Sequence, residues 1–219
     1  MNQPFRTILS LPRGMLLFLG IYAASFPLIF LEIKLTGRSM IADWLGLVPA
    51  LLWKGQVWRM MTYALLAGSV VAWAVNLFWF ATFISILRND WSSLKFWTYY
   101  LVAAIGGALP LILIVPHADV PLLAAGGPVL ALVVAWDRFY RHERVVMLGL
   151  GEVSVRQAAV FVAALNLVIC YFSCGGWLLT LSMLCGGVAG WLWLAIGQKR
   201  VMSRGSKVVE SERVARLEL

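Results

Sequence analysis

Side chains capable of acid–base, nucleophilic or metal chemistry are few among the 219 residues of this chain. There are two histidines, His117 and His142, and three cysteines, Cys170, Cys174 and Cys185. The cysteines lie in or beside apolar stretches, match no metal-ligand spacing and do not read as a disulfide framework. No metal and no cofactor is therefore expected. Catalysis by a hydroxyl needs an activating base within about 3 Å of it. His142 sits among Arg138, Arg141 and Arg144 in a charged connection. His117, between Pro116 and Asp119, is placed to approach a hydroxyl such as Ser69 or Ser182, although a loop histidine of this kind is ordinarily solvated. Ser182 falls in an apolar stretch, where a serine usually bonds the carbonyl four residues back in its own helix. Asn76 and Asn166 also fall in apolar stretches, and their amides are costly in lipid. Both are expected to face a protein interior as polar contacts.

The composition says what must position these groups. Apolar residues make up 62% of the chain and charged residues 13%, against about 45–50% and about 25% in a soluble domain. That excludes a soluble enzyme, a disordered tail protein and a nucleic-acid-binding module. The net charge of +8, from 18 Lys+Arg and 10 Asp+Glu, is a topology signal in a membrane protein rather than a sign of nucleic acid. The 11 tryptophans suit anchoring at the bilayer interface.

A membrane-spanning helix needs about 20 mostly apolar residues. Met15–Ile33, Val70–Leu87, Phe96–Val115 and Trp177–Ile196 meet that demand, and Leu122–Trp136 and Gln157–Phe172 are shorter but strongly apolar. The expected fold is all-α: a polytopic bundle of six transmembrane helices with a membrane-associated first loop. Arg6 and Arg13 precede the first span and Ala23-Ala24-Ser25 is a weak cleavage motif, but the apolar run continues through Ile33, as in an uncleaved anchor. With the N-terminus inside, the inner segments carry 2, 2, 4 and 6 Lys+Arg, 14 of the 18, so both termini are expected to be cytoplasmic. The divisions are an N-tail (1–14), a membrane domain (15–197, with its first loop at 34–69) and a basic C-tail (198–219). The C-tail reads as solvated, with a short amphipathic helix on the inner leaflet as the alternative. The short soluble parts point to a bacterial inner membrane.

The first loop holds Trp44, Trp53 and Trp58 among Leu, Val and Met with few charges, so it is expected to lie in the outer interface. The fourth span is led in by Leu122-Leu123-Ala124-Ala125-Gly126-Gly127-Pro128. Proline favours the first helical turn and paired glycines disfavour helix upstream. A helix from Pro128 to about Arg138 is only about 16 Å long, roughly half of a hydrocarbon core of about 30 Å. The lead-in then enters the membrane in irregular form and must be enclosed by other helices. An ordinary helix from Leu122 with a kink is the alternative.

Several of these residues together resemble the rhomboid superfamily of intramembrane serine proteases. The run Gly55-Gln56-Val57-Trp58-Arg59-Met60-Met61-Thr62-Tyr63 is similar to the GQxWRxxTY signature of its first loop. Asn76 sits where the family keeps the Asn of an HxxxN motif, Gly126-Gly127 looks like its GxSG site, and Met183 to Gly190 resembles a sixth helix that usually reads HxxGxxxG. The resemblance implies a Ser–His dyad, with the serine at Gly126 and the histidine at Met183. It places the first residue of HxxxN, which helps hold the oxyanion, at Ala72. Of that polar set this chain keeps Asn76 alone, and the glutamate that many rhomboids place after the second helix is replaced by Arg88. Glycine has no nucleophile and a thioether exchanges no proton near neutral pH, so the chain is not expected to be an enzyme.

Inactive rhomboids and derlins bind transmembrane segments, and derlins combine a WR pair with GxxxG without the dyad. The resemblance therefore implies a non-proteolytic protein that recognises the transmembrane helices of other membrane proteins, with the lipid bilayer as its other partner and no nucleic acid. Trp58 and Arg59 are expected to hold the first loop together, and Gly186 and Gly190 to pack the sixth helix against the fourth. Alternatives are a structural or accessory subunit of a larger complex and a protease with displaced catalytic residues. A transporter is disfavoured, since no Asp, Glu, Lys or Arg is securely placed within the spans.

Overall fold

A computed structural model describes residues 12–88, 90–147, 151–174 and 176–217. Expectations for residues 1–11, for the Cys174 side chain and for the side chains of the tail from Gln198 lie outside the described residues. The helices are α1 (Arg13–Thr36), α2 (Met40–Leu45), α3 (Pro49–Leu52), α4 (Arg59–Thr62), α5 (Val70–Leu87), α6 (Ser93–Ile114), α7 (Gly126–Tyr140), α8 (Val155–Cys174) and α9 (Trp177–Leu217), with a 3-10 turn at Tyr63–Leu65.

The fold is mostly helical, and among the described residues five helices are long and apolar enough to cross a membrane: α1, α5, α6, α8 and the first part of α9. The expected fourth span is α7, with 15 residues and a length of about 22 Å, short of a core of about 30 Å. Of the six expected segments five are thus long enough to cross, and the fourth is the short helix that its lead-in implies. Its first residue is Gly126, two before the expected start, and Pro128 still falls in the first turn, where its missing N–H is no loss.

Local signals set the other helix ends. Ser69 and Ser92 cap α5 and α6, their hydroxyls accepting from the Ala72 and Lys95 amides at 3.2 and 3.3 Å. Gly37 ends α1 in the left-handed region (φ 75°), its N–H on the Ile33 carbonyl.

Two departures from the expected elements lie toward the C-terminus. Strands β1 (Arg144–Met147) and β2 (Gly151–Ser154) form an antiparallel ribbon with Val145 opposite Val153, in a connection that reads as a charged loop. The last helix does not stop near Ile196 but continues to Leu217; no proline falls between Gly197 and Leu217 to break it.

Aromatic side chains join α1, α5 and α6. The Phe18 ring meets Phe80, Phe96 and Tyr100 at centroid separations of 5.0, 5.1 and 4.7 Å, in edge-on or tilted geometries that favour ring pairs. Indole N–H groups tie the same helices, with Trp73 donating to the Tyr22 carbonyl and Trp97 to that of Gly14. Small residues bring α9 onto α6 and α7, and Tyr99 of α6 donates to the Ala131 carbonyl of α7 at 2.6 Å.

Candidate functional site

The first loop is a folded unit built around one guanidinium. Arg59 is 4% exposed. Its Nε donates to Gln56 Oε1 at 2.6 Å, and its Nη1 donates to the carbonyls of Asp43 and Gly46 at 2.7 Å each. Burial pulls the Arg59 pKa below its ordinary value, and the charge of Asp43 opposes that shift. Thr62 donates to the Leu45 carbonyl at 2.7 Å, and the Trp58 indole donates to the Trp44 carbonyl at 3.4 Å. Trp58 remains 41% exposed, as do Trp44 and Trp53 to a greater degree, which suits indoles at headgroup level.

This unit is fastened to the lead-in of α7. Leu47 and Leu122 exchange both backbone hydrogen bonds, at 3.0 and 2.8 Å, as an isolated antiparallel bridge. The irregular lead-in thus finds backbone partners within the protein, the condition under which non-helical chain is tolerated at membrane depth. Tyr63, buried at the end of the loop, donates to the Ala104 carbonyl of α6 at 2.9 Å.

Behind the lead-in lies a cavity of about 20 Å³, lined from α5 by Ala72 and Asn76, from α8 by Asn166 and Cys170, and from α7 and α9 by Gly126 and Met183. That volume is enough for about one water. A Cβ added at Gly126 would lie 3.2 Å from Met183 Sδ and 3.3 Å from its Cγ, so the thioether occupies the space that a larger residue at 126 would need. Asn76 and Asn166 are 8% and 4% exposed. The Asn166 amide donates to the Val162 carbonyl at 2.9 Å. Asn76 makes no side-chain hydrogen bond among the described residues, and it faces the cavity. Of the lining residues only Cys170 carries a nucleophilic atom, and none is a base.

The structure thus brings Ala72, Asn76, Gly126 and Met183 together, although 111 positions separate the first from the last (183 less 72). His117 is exposed and does not line the cavity, and His142 is exposed beyond α7. Ser69 is the cap of α5. Ser182 corrects an expectation: it bonds no carbonyl of its own helix but donates across to Gly107 of α6 at 2.6 Å. The close approach of α6 puts a stronger acceptor in reach than the one already used by the helix ladder.

Gly186 and Gly190 lie in the contact of α9 with α6 and α7. A Cβ at Gly186 would lie 2.6 Å from Gly127 Cα, and one at Gly190 would lie 2.6 Å from Ala131 Cβ and 2.8 Å from the Tyr99 hydroxyl oxygen. Such approaches are possible only without a side chain. The Leu47–Leu122 bridge and the roles of Tyr63 and Ser182 are not legible from spacing. Tyr63 alone had a signal, as the last residue of the GQVWRMMTY run.

A family model described as "Eukaryotic integral membrane protein (DUF1751)" matches residues 15–207. No curated protein matches the chain. The family description overturns the expected bacterial inner membrane, since the family is eukaryotic. Short soluble segments and spans of about 20 residues are what every bilayer core of about 30 Å demands, so they carry no information about which membrane.

Proposed function

The chain belongs to the DUF1751 family of eukaryotic integral membrane proteins, and from that premise we propose that it is a non-proteolytic, rhomboid-like protein that binds transmembrane segments of other proteins. The observation that carries this reading is the contact of Gly126 with Met183 beside a cavity of about 20 Å³. In a rhomboid-like arrangement these positions hold the nucleophile and its base. Here they hold a hydrogen and a thioether, so no acyl-enzyme forms there and no proton is relayed. The rhomboid likeness is supported by two convergences: Arg59 gathering the first loop, and positions 72, 76, 126 and 183 sharing one cavity.

A partner helix is supported by the chemistry of the site and by its place between α5 and α8. The cavity is too small for a drug-sized molecule, which needs about 300 Å³ or more. Its α5 and α8 walls carry the Asn76 and Asn166 amides. A helix that meets the bundle where α5 and α8 part gains hydrogen bonds from those amides, each worth about 0.6–2 kcal/mol in a bilayer.

The purified full-length protein is expected to resist a serine-directed fluorophosphonate probe and to leave a model transmembrane substrate intact in proteoliposomes. Labelling or cleavage above that of a heat-denatured control sinks the non-proteolytic reading.

A further inference from the structure

Asn76 is a buried polar side chain that the rest of the chain leaves unsatisfied. It is 8% exposed, lines the cavity behind the lead-in of α7 and makes no side-chain hydrogen bond among the described residues. Its amide carries both donors and an acceptor, and leaving them unmet in a membrane interior costs free energy. Asn166 lines the same cavity from α8. Its Nδ2 is taken by the Val162 carbonyl at 2.9 Å, which leaves its Oδ1 to accept.

The start of α7 adds further groups. The first N–H groups of a helix have no partner within it. Here no side chain caps the helix, and the Gly126 and Gly127 amides meet no backbone acceptor among the described residues. Pro128 has no N–H, so the Ala124 carbonyl is denied the helical bond that Val129 gives to Ala125 at 3.3 Å. Ala124 and Gly126 both line the cavity. Unmet donors and acceptors from α5, α7 and α8 thus converge on one small space.

The size and charge of that space select its ligand. Its volume of about 20 Å³ exceeds the roughly 10–15 Å³ that one water needs and admits little more. No Asp, Glu, Lys, Arg or His is among its lining residues, so an ion of either sign would enter without a counter-charge, at a high desolvation cost. An apolar ligand would leave the amides unmet. Water both donates and accepts, and the cavities that stay dry are apolar ones.

We propose that the cavity binds one ordered water, held between the Asn76 and Asn166 amides and the Gly126 N–H and Ala124 carbonyl at the start of α7. In the client-binding reading it is this water that an entering polar side chain displaces. The water itself rests on the cavity alone, so a dry cavity overturns it and leaves that reading standing.

The test is X-ray hydroxyl-radical footprinting of the full-length protein in nanodiscs, read by mass spectrometry. Radiolysis of a bound water makes the radical in place, and a methionine beside it is converted to the sulfoxide. Met183 lines the cavity and is 2% exposed, whereas Met15 is 0% exposed and does not line it. Met183 is expected to oxidise several times faster than Met15. Asn76→Leu, which removes the polar partner at similar size, is expected to bring Met183 down to the rate of Met15. Ala72→Ser, which puts a hydroxyl on the cavity wall one turn before Asn76, is expected to do the same by taking the place of the water. Both variants are expected to keep the thermal midpoint, since neither adds an unmet polar group. Equal oxidation of Met183 and Met15 in the unaltered protein overturns the proposal. A Met183 rate that neither variant lowers also overturns it, since that marks radicals arriving from bulk solvent.

Discussion

Gly186→Ala is expected to leave little folded protein. The first atom of any side chain at 186 would lie 2.6 Å from Gly127 Cα, 3.0 Å from Gly127 C and 2.9 Å from the Ala103 carbonyl oxygen. Carbon atoms rest at about 3.5–4.0 Å, and all three obstacles are backbone, so relief requires moving α9 away from both α6 and α7. Overpacking a core ordinarily costs about 1–3 kcal/mol, and the cost here is at or above the top of that range because no rotamer change relieves it. The loss matters more in a bilayer, where close backbone packing takes the place of the hydrophobic drive between helices. Gly187→Ala is the matched comparison. Its Cβ meets Leu130 Cδ2 at 2.8 Å, the far end of a flexible side chain, and the expected cost is about 1 kcal/mol. Thermal midpoints and monodisperse yield in detergent separate the two. Equal midpoints would mean that α9 does not present Gly186 to Gly127.

Arg59→Gln is expected to destabilise the first loop by about 3 kcal/mol, because hydrogen bonds from a charged donor are worth about 1.5–3 kcal/mol and their buried acceptors are left unpaired. The guanidinium reaches three acceptors from three directions, Gln56 Oε1 and the carbonyls of Asp43 and Gly46. Lysine keeps the charge but not the planar fork, so Arg59→Lys is expected to recover less than half of the loss. The loop should open while the bundle stays folded, since the aromatic contacts among α1, α5 and α6 do not involve it. Limited proteolysis checks this, with new cleavage expected between Thr36 and Ser69 in Arg59→Gln. Protection equal to that of the unaltered protein would show that Arg59 does not organise the loop.

These two sites were legible in the sequence to different depths. Arg59 stands in a motif, and a charged residue in an apolar loop must find partners within it, but only the fold names the Asp43 and Gly46 carbonyls. The glycines at 186 and 190 carry the helical spacing of a close-packed face, but only the fold names Gly127, Ala131 and Tyr99 as the surfaces they approach. The start of α7 was within two residues of expectation, because Gly126-Gly127-Pro128 is local punctuation. Pairings between distant residues were not legible. The Leu47–Leu122 bridge joins two runs of ordinary apolar sequence, and Ser182 has no local mark that sends its hydroxyl to Gly107, 75 residues away. The β1–β2 ribbon was hidden because four-residue strands are too short for alternation to outweigh their charges.

The central claim, that the chain binds transmembrane helices without cutting them, is tested most directly by photocrosslinking from the cavity wall. A benzoylphenylalanine placed at Ile169 of α8, which lines the cavity beside Asn166, reports what enters between α5 and α8 in a eukaryotic membrane. The predicted result is an adduct with a transmembrane protein whose intact mass shows an uncleaved span. An adduct truncated within its transmembrane segment, or crosslinks to lipid alone, would contradict the account.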